Sequence, residues 1–202
     1  MIKKTSVQIS TRPATMIGRF LETMPGADER PIRDNAAVRE EATRRMLGAV
    51  CAALPEIELD RLEAALQAAT RWANDPHEIA SKLSQRLKIE GGEQLLRALS
   101  GFPFEISVCH EMMVKAWVRT RNVKPAFAEG DDVIATLQDG MFKVRSVHGV
   151  ISSVDEDTAV YVIKVRERGR LVSYQVEFEN VVRRGSALNN ETTSVMVDGA
   201  DD

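Results

Sequence analysis

The stretch 125-PAFAEGDDVIATL-137, taken up again by 147-VHGVISSV-154 and closed by 174-YQVEFENVV-182, decides the fold. Within it apolar residues recur at every second position, the period of a half-buried strand. The pattern predicts strands over 132–137, 142–153, 159–166 and 171–179, and a short closing strand at Val181-Val182. Asp139-Gly140, Asp155-Glu156-Asp157 and Gly169 mark the turns between them. Gly149 falls in the middle of the long second strand, where glycine signals a bulge or a sharp corner. In the fourth strand Val172, Tyr174, Val176 and Phe178 are expected inward, with Ser173, Gln175 and Glu177 outward. The third is apolar on both sides. Five short strands with a corner predict a small antiparallel β-barrel over residues 125–184.

Before Pro125 the period is near 3.6, so the expected class is α+β: an N-terminal helical bundle followed by the barrel. Residues 1–34 read as an arm. Met16, Ile17, Phe20 and Leu21 form the apolar stripe of a short helix, and 25-PGADERPIRDN-35 reads as its linker. That helix is a candidate for docking on a protein partner or, through residues 13–24, on a second copy of the chain.

Residues 35–124 predict four or five helices. Asp34 is read as the first N-cap, with Val38, Ala42, Met46 and Val50 on the apolar face and Arg39, Glu40, Arg44 and Arg45 off it. Leu62, Leu66, Ala69 and Trp72 form the next face. Asp75-Pro76 pairs a cap with proline at the first helical position. Gly91-Gly92 and Gly101 are read as helix breaks. Phe102-Pro103-Phe104 is read as an apolar turn with both rings in the bundle floor, ahead of a last helix over 106–121. Residues 185–202 are small, polar and acidic, and are expected to be disordered.

The chain has 202 residues and a formal charge of −3. Residues 1–124 hold 19 Lys and Arg against 16 Asp and Glu, and residues 125–202 hold 8 against 14. Neither part has the strong basic excess of a dedicated nucleic-acid binder. No apolar run is long enough to cross a bilayer, and no apolar segment follows the two lysines at the start. The cytoplasm is therefore expected, with Cys51 and Cys109 as buried free thiols.

The segment 125–184 resembles the Src-homology-like small barrels, the broad group that includes Tudor and KOW-type modules. The resemblance rests on Phe127, Gly130, Asp131 and Val133, on Gly149-Val150-Ile151, and on Tyr161-Val162-Ile163. It implies that Phe127 seals one end, Gly130 takes a tight turn and Asp131 caps that turn. The extra MFKVRSV between Gly140 and Gly149 departs from the compact KOW pattern. Helices followed by such an opening are also similar to nitrile hydratase β subunits, but Gln138-Asp139-Gly140-Met141 stands where those carry Gly-His-Thr-Arg.

No catalytic, cofactor or metal motif is found. Cys109-His110-Glu111 are helical neighbours that point about 100° apart, so they cannot form a nucleophile and base pair. The three histidines lack ligand spacing, and His148 is read as a satisfied barrel histidine. Asp155-Glu156-Asp157 lacks a calcium-loop ligand set and reads as a solvated turn.

The candidate interaction residues are Arg166, Arg168 and Arg170 around Gly169, together with Lys143 and Arg145, read as outward on the second strand, and Arg183 and Arg184. They would form a basic rim, although Glu167, Glu177 and Glu179 interleave. The expected function is a non-enzymatic adaptor that binds a protein partner through the barrel rim and the N-terminal helix. The alternatives are a nucleic-acid-associated regulator using the hairpin at 166–170, and a non-catalytic subunit of a larger enzyme complex.

Overall fold

The computed structural model describes residues 29–139 and 143–184. The expected docking helix with Met16, Ile17, Phe20 and Leu21, and the acidic tail, lie outside the described residues. The chain divides into two compact units, with the boundary between Arg121 and Asn122. The class is α+β.

The first unit contains α1 (Ala36–Ala53), α2 (Leu59–Thr70), α3 (Pro76–Leu87), α4 (Glu93–Leu99) and α5 (Phe102–Arg121). α1 is the hub and packs against α2, α4 and α5. Val38, Ala42, Val50, Leu62, Leu66, Ile79, Leu83, Leu99 and Phe102 fill the core, each fully shielded from solvent. Asn35, not Asp34, caps α1: its side chain accepts from the Ala37 amide at 2.9 Å. Asp75 caps α3 in the same way from His77, with Pro76 in the first turn. α3 ends four residues before the expected Gly91, because Lys88 itself adopts the left-handed conformation (φ 57°).

Two readings of aromatic residues fail here. α5 begins at Phe102, so Phe102 and Phe104 stand about 200° apart on one helix; Phe102 is fully buried and Phe104 is 68% exposed. Trp72 lies beyond the last turn of α2 and is 78% exposed. Part of the expected linker is also fixed. Pro31 is buried and its carbonyl accepts from His110 Nε2 at 3.0 Å, while Arg33 Nη2 donates to Ser107 Oγ at 2.9 Å.

The second unit is a five-stranded antiparallel sheet: β1 (Asp132–Asp139), β2 (Lys143–Asp155), β3 (Val160–Glu167), β4 (Arg170–Glu177) and β5 (Val181–Arg183), with a 3-10 turn at Phe178–Asn180. The order is β4-β3-β2-β1-β5. No ladder joins β4 to β5 among the described residues, so the sheet is not closed into the expected barrel. Val133, Ala135, Val147, Ile151, Tyr161, Ile163, Val165 and Val176 form its core. Tyr161 lies at the centre: it stacks on Phe178 with centroids 4.2 Å apart, and its hydroxyl accepts from the Phe127 amide at 3.0 Å. The opening turn forms as its residues imply. Gly130 has φ 91°, and Asp131 Oδ2 accepts from the Ala128 amide at 2.8 Å.

Two separate features mark the long second strand. The irregularity in its pairing lies between Ile151 and Ser153, not at Gly149. Gly149 is needed because β3 crosses close above it: a Cβ there would lie 2.5 Å from Ile163 Cγ2 and 2.8 Å from the Lys164 carbonyl oxygen. On β3, burial is one-sided. Tyr161, Ile163 and Val165 are buried, while Val160 and Val162 are half-buried.

Candidate functional site

Arg168 (φ 48°) and Gly169 (φ 80°) both occupy left-handed conformations between the paired residues Glu167 and Arg170. This is a two-residue hairpin turn whose twist matches its strands. It holds Arg166, Arg168 and Arg170 at one tip, all three exposed. Their side chains make no hydrogen bond or ion pair with the described residues.

Arg145 is not outward, as its alternation suggested. It shares a face with the buried Val147 and Ile151 and is half-buried. Its Nη1 donates to Glu167 Oε1 at 2.7 Å and its Nη2 to the Tyr174 hydroxyl at 2.9 Å. Tyr174 in turn donates to the same Glu167 oxygen at 2.9 Å, closing a three-membered polar ring at the end of the core. The hydrogen bonds from Arg145 and then Tyr174, with the fields of Arg145 and Arg168, hold the Glu167 carboxyl below its ordinary value. Tyr174 was expected only as core and Glu167 only as an interleaved charge. The signal for their partnership was Arg145 standing in the inward register of Val147.

Arg145 and Glu167, but not Tyr174, line an open groove of about 980 Å³ whose apolar lining is Val147, Val165 and Val172. Arg145, Arg166, Arg168 and Arg170 lie along it, with Glu167 as the one acid. His148, read as satisfied, is exposed in its wall. The expected seven-residue rim does not form as a unit. β5 pairs with β1, which puts Arg183 on, and Arg184 just past, the strand at the opposite end of the sheet order, where Arg184 reaches Asp132 at 3.6 Å. The Lys143 side chain lies outside the described residues.

Two other groups that the sequence put forward, Cys109 and Asp155, have definite surroundings. Burial pushes the Cys109 thiol up to about 11, so at neutral pH it remains protonated. Asp155 spends its oxygens on its own turn, accepting from the amides of Asp157 and Thr158 and from Thr158 Oγ1. No cluster of His, Cys, Asp and Glu able to hold a metal ion occurs among the described residues. Nor is any helix there long and apolar enough to cross a membrane.

The helical unit holds a polar centre that the pattern hid. Arg39 is 8% exposed; its Nη1 donates to the carbonyls of Thr70 (3.1 Å) and Ala73 (3.2 Å), and its Nη2 to Asp34 Oδ1 (2.9 Å). Thr43 and Thr70 share a buried hydrogen bond of 2.8 Å beside it. A concavity of about 480 Å³ opens over this centre and reaches Trp72, whose ring carries the Arg71 guanidinium at 5.4 Å. No family model matches the chain, and neither does any curated protein or solved structure.

Proposed function

We propose that this chain is a non-enzymatic binding protein of the cytoplasm and that the arginine groove of its sheet is the surface that meets a protein partner. On this reading the sheet is a small Src-homology-like barrel left unlaced between β4 and β5. Its support is the return of β5 to β1 and the shared core around Tyr161. The observation that carries the function is the hairpin tip. Three exposed guanidiniums that make no hydrogen bond or ion pair with the described residues are gathered in and beside a two-residue turn, next to the apolar lining of the groove. Such a site suits partner recognition, in which charge steers and apolar contact holds. Residues 13–24 supply a second contact, to the partner or to another copy.

The test is affinity capture from native lysate with the full chain and with Arg166, Arg168 and Arg170 all changed to alanine. Loss of one protein partner in the variant supports the reading. An identical set of partners rejects the groove as the binding surface. The grouping of four arginines in one groove also keeps a nucleic-acid role in play. That role predicts salt-sensitive retardation of DNA or RNA, abolished by the same three changes.

A further inference from the structure

β2 is paired unequally on its two sides. Toward β1 its ladder covers residues 143–150, from Val150 opposite Asp132 to Lys143 opposite Asp139. Toward β3 it stops at Val150 opposite Lys164. β3 meanwhile stays paired with β4 to Glu167 opposite Arg170. The two hairpins therefore separate beyond Gly149, where β3 crosses too close for a side chain. The arginine groove lies along this separation, lined from β2 by Arg145, Val147 and His148 and from β3 by Val165 and Arg166.

The backbone on the open side of β2 has a definite orientation. The Ile151 amide donates to Asp131 O, and the Ile151 carbonyl accepts from the Gly130 amide, so Ile151 directs both groups toward β1. Alternation then directs those of Val144, Ser146 and His148 toward the groove. No rung meets them among the described residues. Five residues, 144–148, span about 16 Å of strand. Val144 is 68% exposed and no proline interrupts the segment, so its one guard of the kind that blunts open edges is the inward charge of Arg145, already paired with Glu167.

We propose that this edge of β2 takes up an extended, acidic segment of a partner protein by strand addition. The segment occupies the position that β3 vacates, and its carboxylates meet Arg166, Arg168 and Arg170. The proposal rests on the binding-protein reading above and names its partner's chemistry. The edge presents alternating donors and acceptors, which a peptide backbone matches group for group. A phosphodiester backbone can only accept, so it would leave the carbonyls of Val144, Ser146 and His148 without donors from that backbone. The apolar lining of Val147, Val165 and Val172 suits the alternate side chains of a strand, and the three arginines suit carboxylates at its border.

The experiment uses the full chain and an end-blocked peptide of alternating valine and glutamate, followed by fluorescence anisotropy and by amide hydrogen exchange. The expected result is saturable binding that slows exchange at Ser146 and His148. It should weaken by roughly tenfold or more in the R166A/R168A/R170A variant. Methylating the peptide's backbone nitrogens leaves its charge intact and removes its donors, so it should abolish binding while leaving the protein untouched. Equal affinity for the methylated peptide, or no protection at Ser146 and His148, overturns strand addition and leaves the groove as a charge-only site. Binding of a short oligonucleotide with no binding of the peptide overturns the acidic-peptide assignment. If the chain binds neither probe, the proposal fails. Unchanged native partners in the triple variant separately remove the function it rests on.

Discussion

Arg39 and Arg145 are the two arginines that sit deepest at the polar centres of their units, and they are held in opposite ways. Arg39 is enclosed and anchored mainly by backbone carbonyls at the end of α2, groups that carry partial negative charge and cannot titrate. Arg145 is anchored by two side chains, Glu167 and Tyr174, at the mouth of an open groove. One guanidinium closes the end of a helix. The other fixes the wall of a surface. The identity of the residue is the same, and the permanence of its acceptors makes the difference.

The comparison can be broken most directly at Arg39. Arg39→Ala strands two inward carbonyls and should cost about 3 kcal/mol in urea unfolding of the helical unit. Arg39→Lys should recover little, because an ammonium lacks the fork that spans three acceptors. A loss below about 1 kcal/mol would place Arg39 among ordinary surface charges. Gly149→Ala is expected to cost about 2 kcal/mol in the sheet unit, as a methyl group is forced against the Lys164 carbonyl. It should also alter groove binding, where Arg39→Ala should not.

Arg145→Ala should cost less stability than either change, under about 1 kcal/mol, while lowering affinity for any groove ligand. Acid sharpens the contrast. The Glu167 carboxyl is held below its ordinary 4.5, so the stability from its pairing is full above that value. It is lost as pH falls through the lower, folded value. Below pH 4.5 the sheet unit should therefore loosen with a slope that Glu167→Gln flattens, as read by amide exchange at Tyr174. Arg39's carbonyl bonds add no such slope. The smallest effect is expected from Phe104→Ser, within about 0.5 kcal/mol, because that ring already faces water.

The switch of period near Pro125 was legible and lies within four residues of the observed unit boundary. The helix cores followed from spacing and the cap at Asp75 from the proline after it, while the turn at Gly130 and Asp131 was an expectation of the resemblance. Arg39 was hidden because a charge in a periodic pattern is read as solvent-facing. Its burial depends on where another helix ends, a distance of 31 residues along the chain. Arg145 was assigned outward from alternation along the strand alone; it stands two residues before the buried Val147 with the pairing irregularity lying beyond Ile151, so it shares the core face. The groove itself could not be read from any one strand, since it exists only where two ladders stop at different residues.

The placement of Tyr161 has a practical consequence. Both tyrosines of the chain, Tyr161 and Tyr174, belong to the sheet unit, and both tryptophans, Trp72 and Trp117, belong to the helical unit. Each unit thus carries its own chromophore. Excitation at the red edge selects tryptophan and follows the helical unit alone, while near-ultraviolet dichroism adds the tyrosine stacked on Phe178 to the tryptophan bands, so a step seen in dichroism and not in that emission belongs to the sheet. A single unlabelled sample can therefore reveal whether the two halves melt together or one after the other.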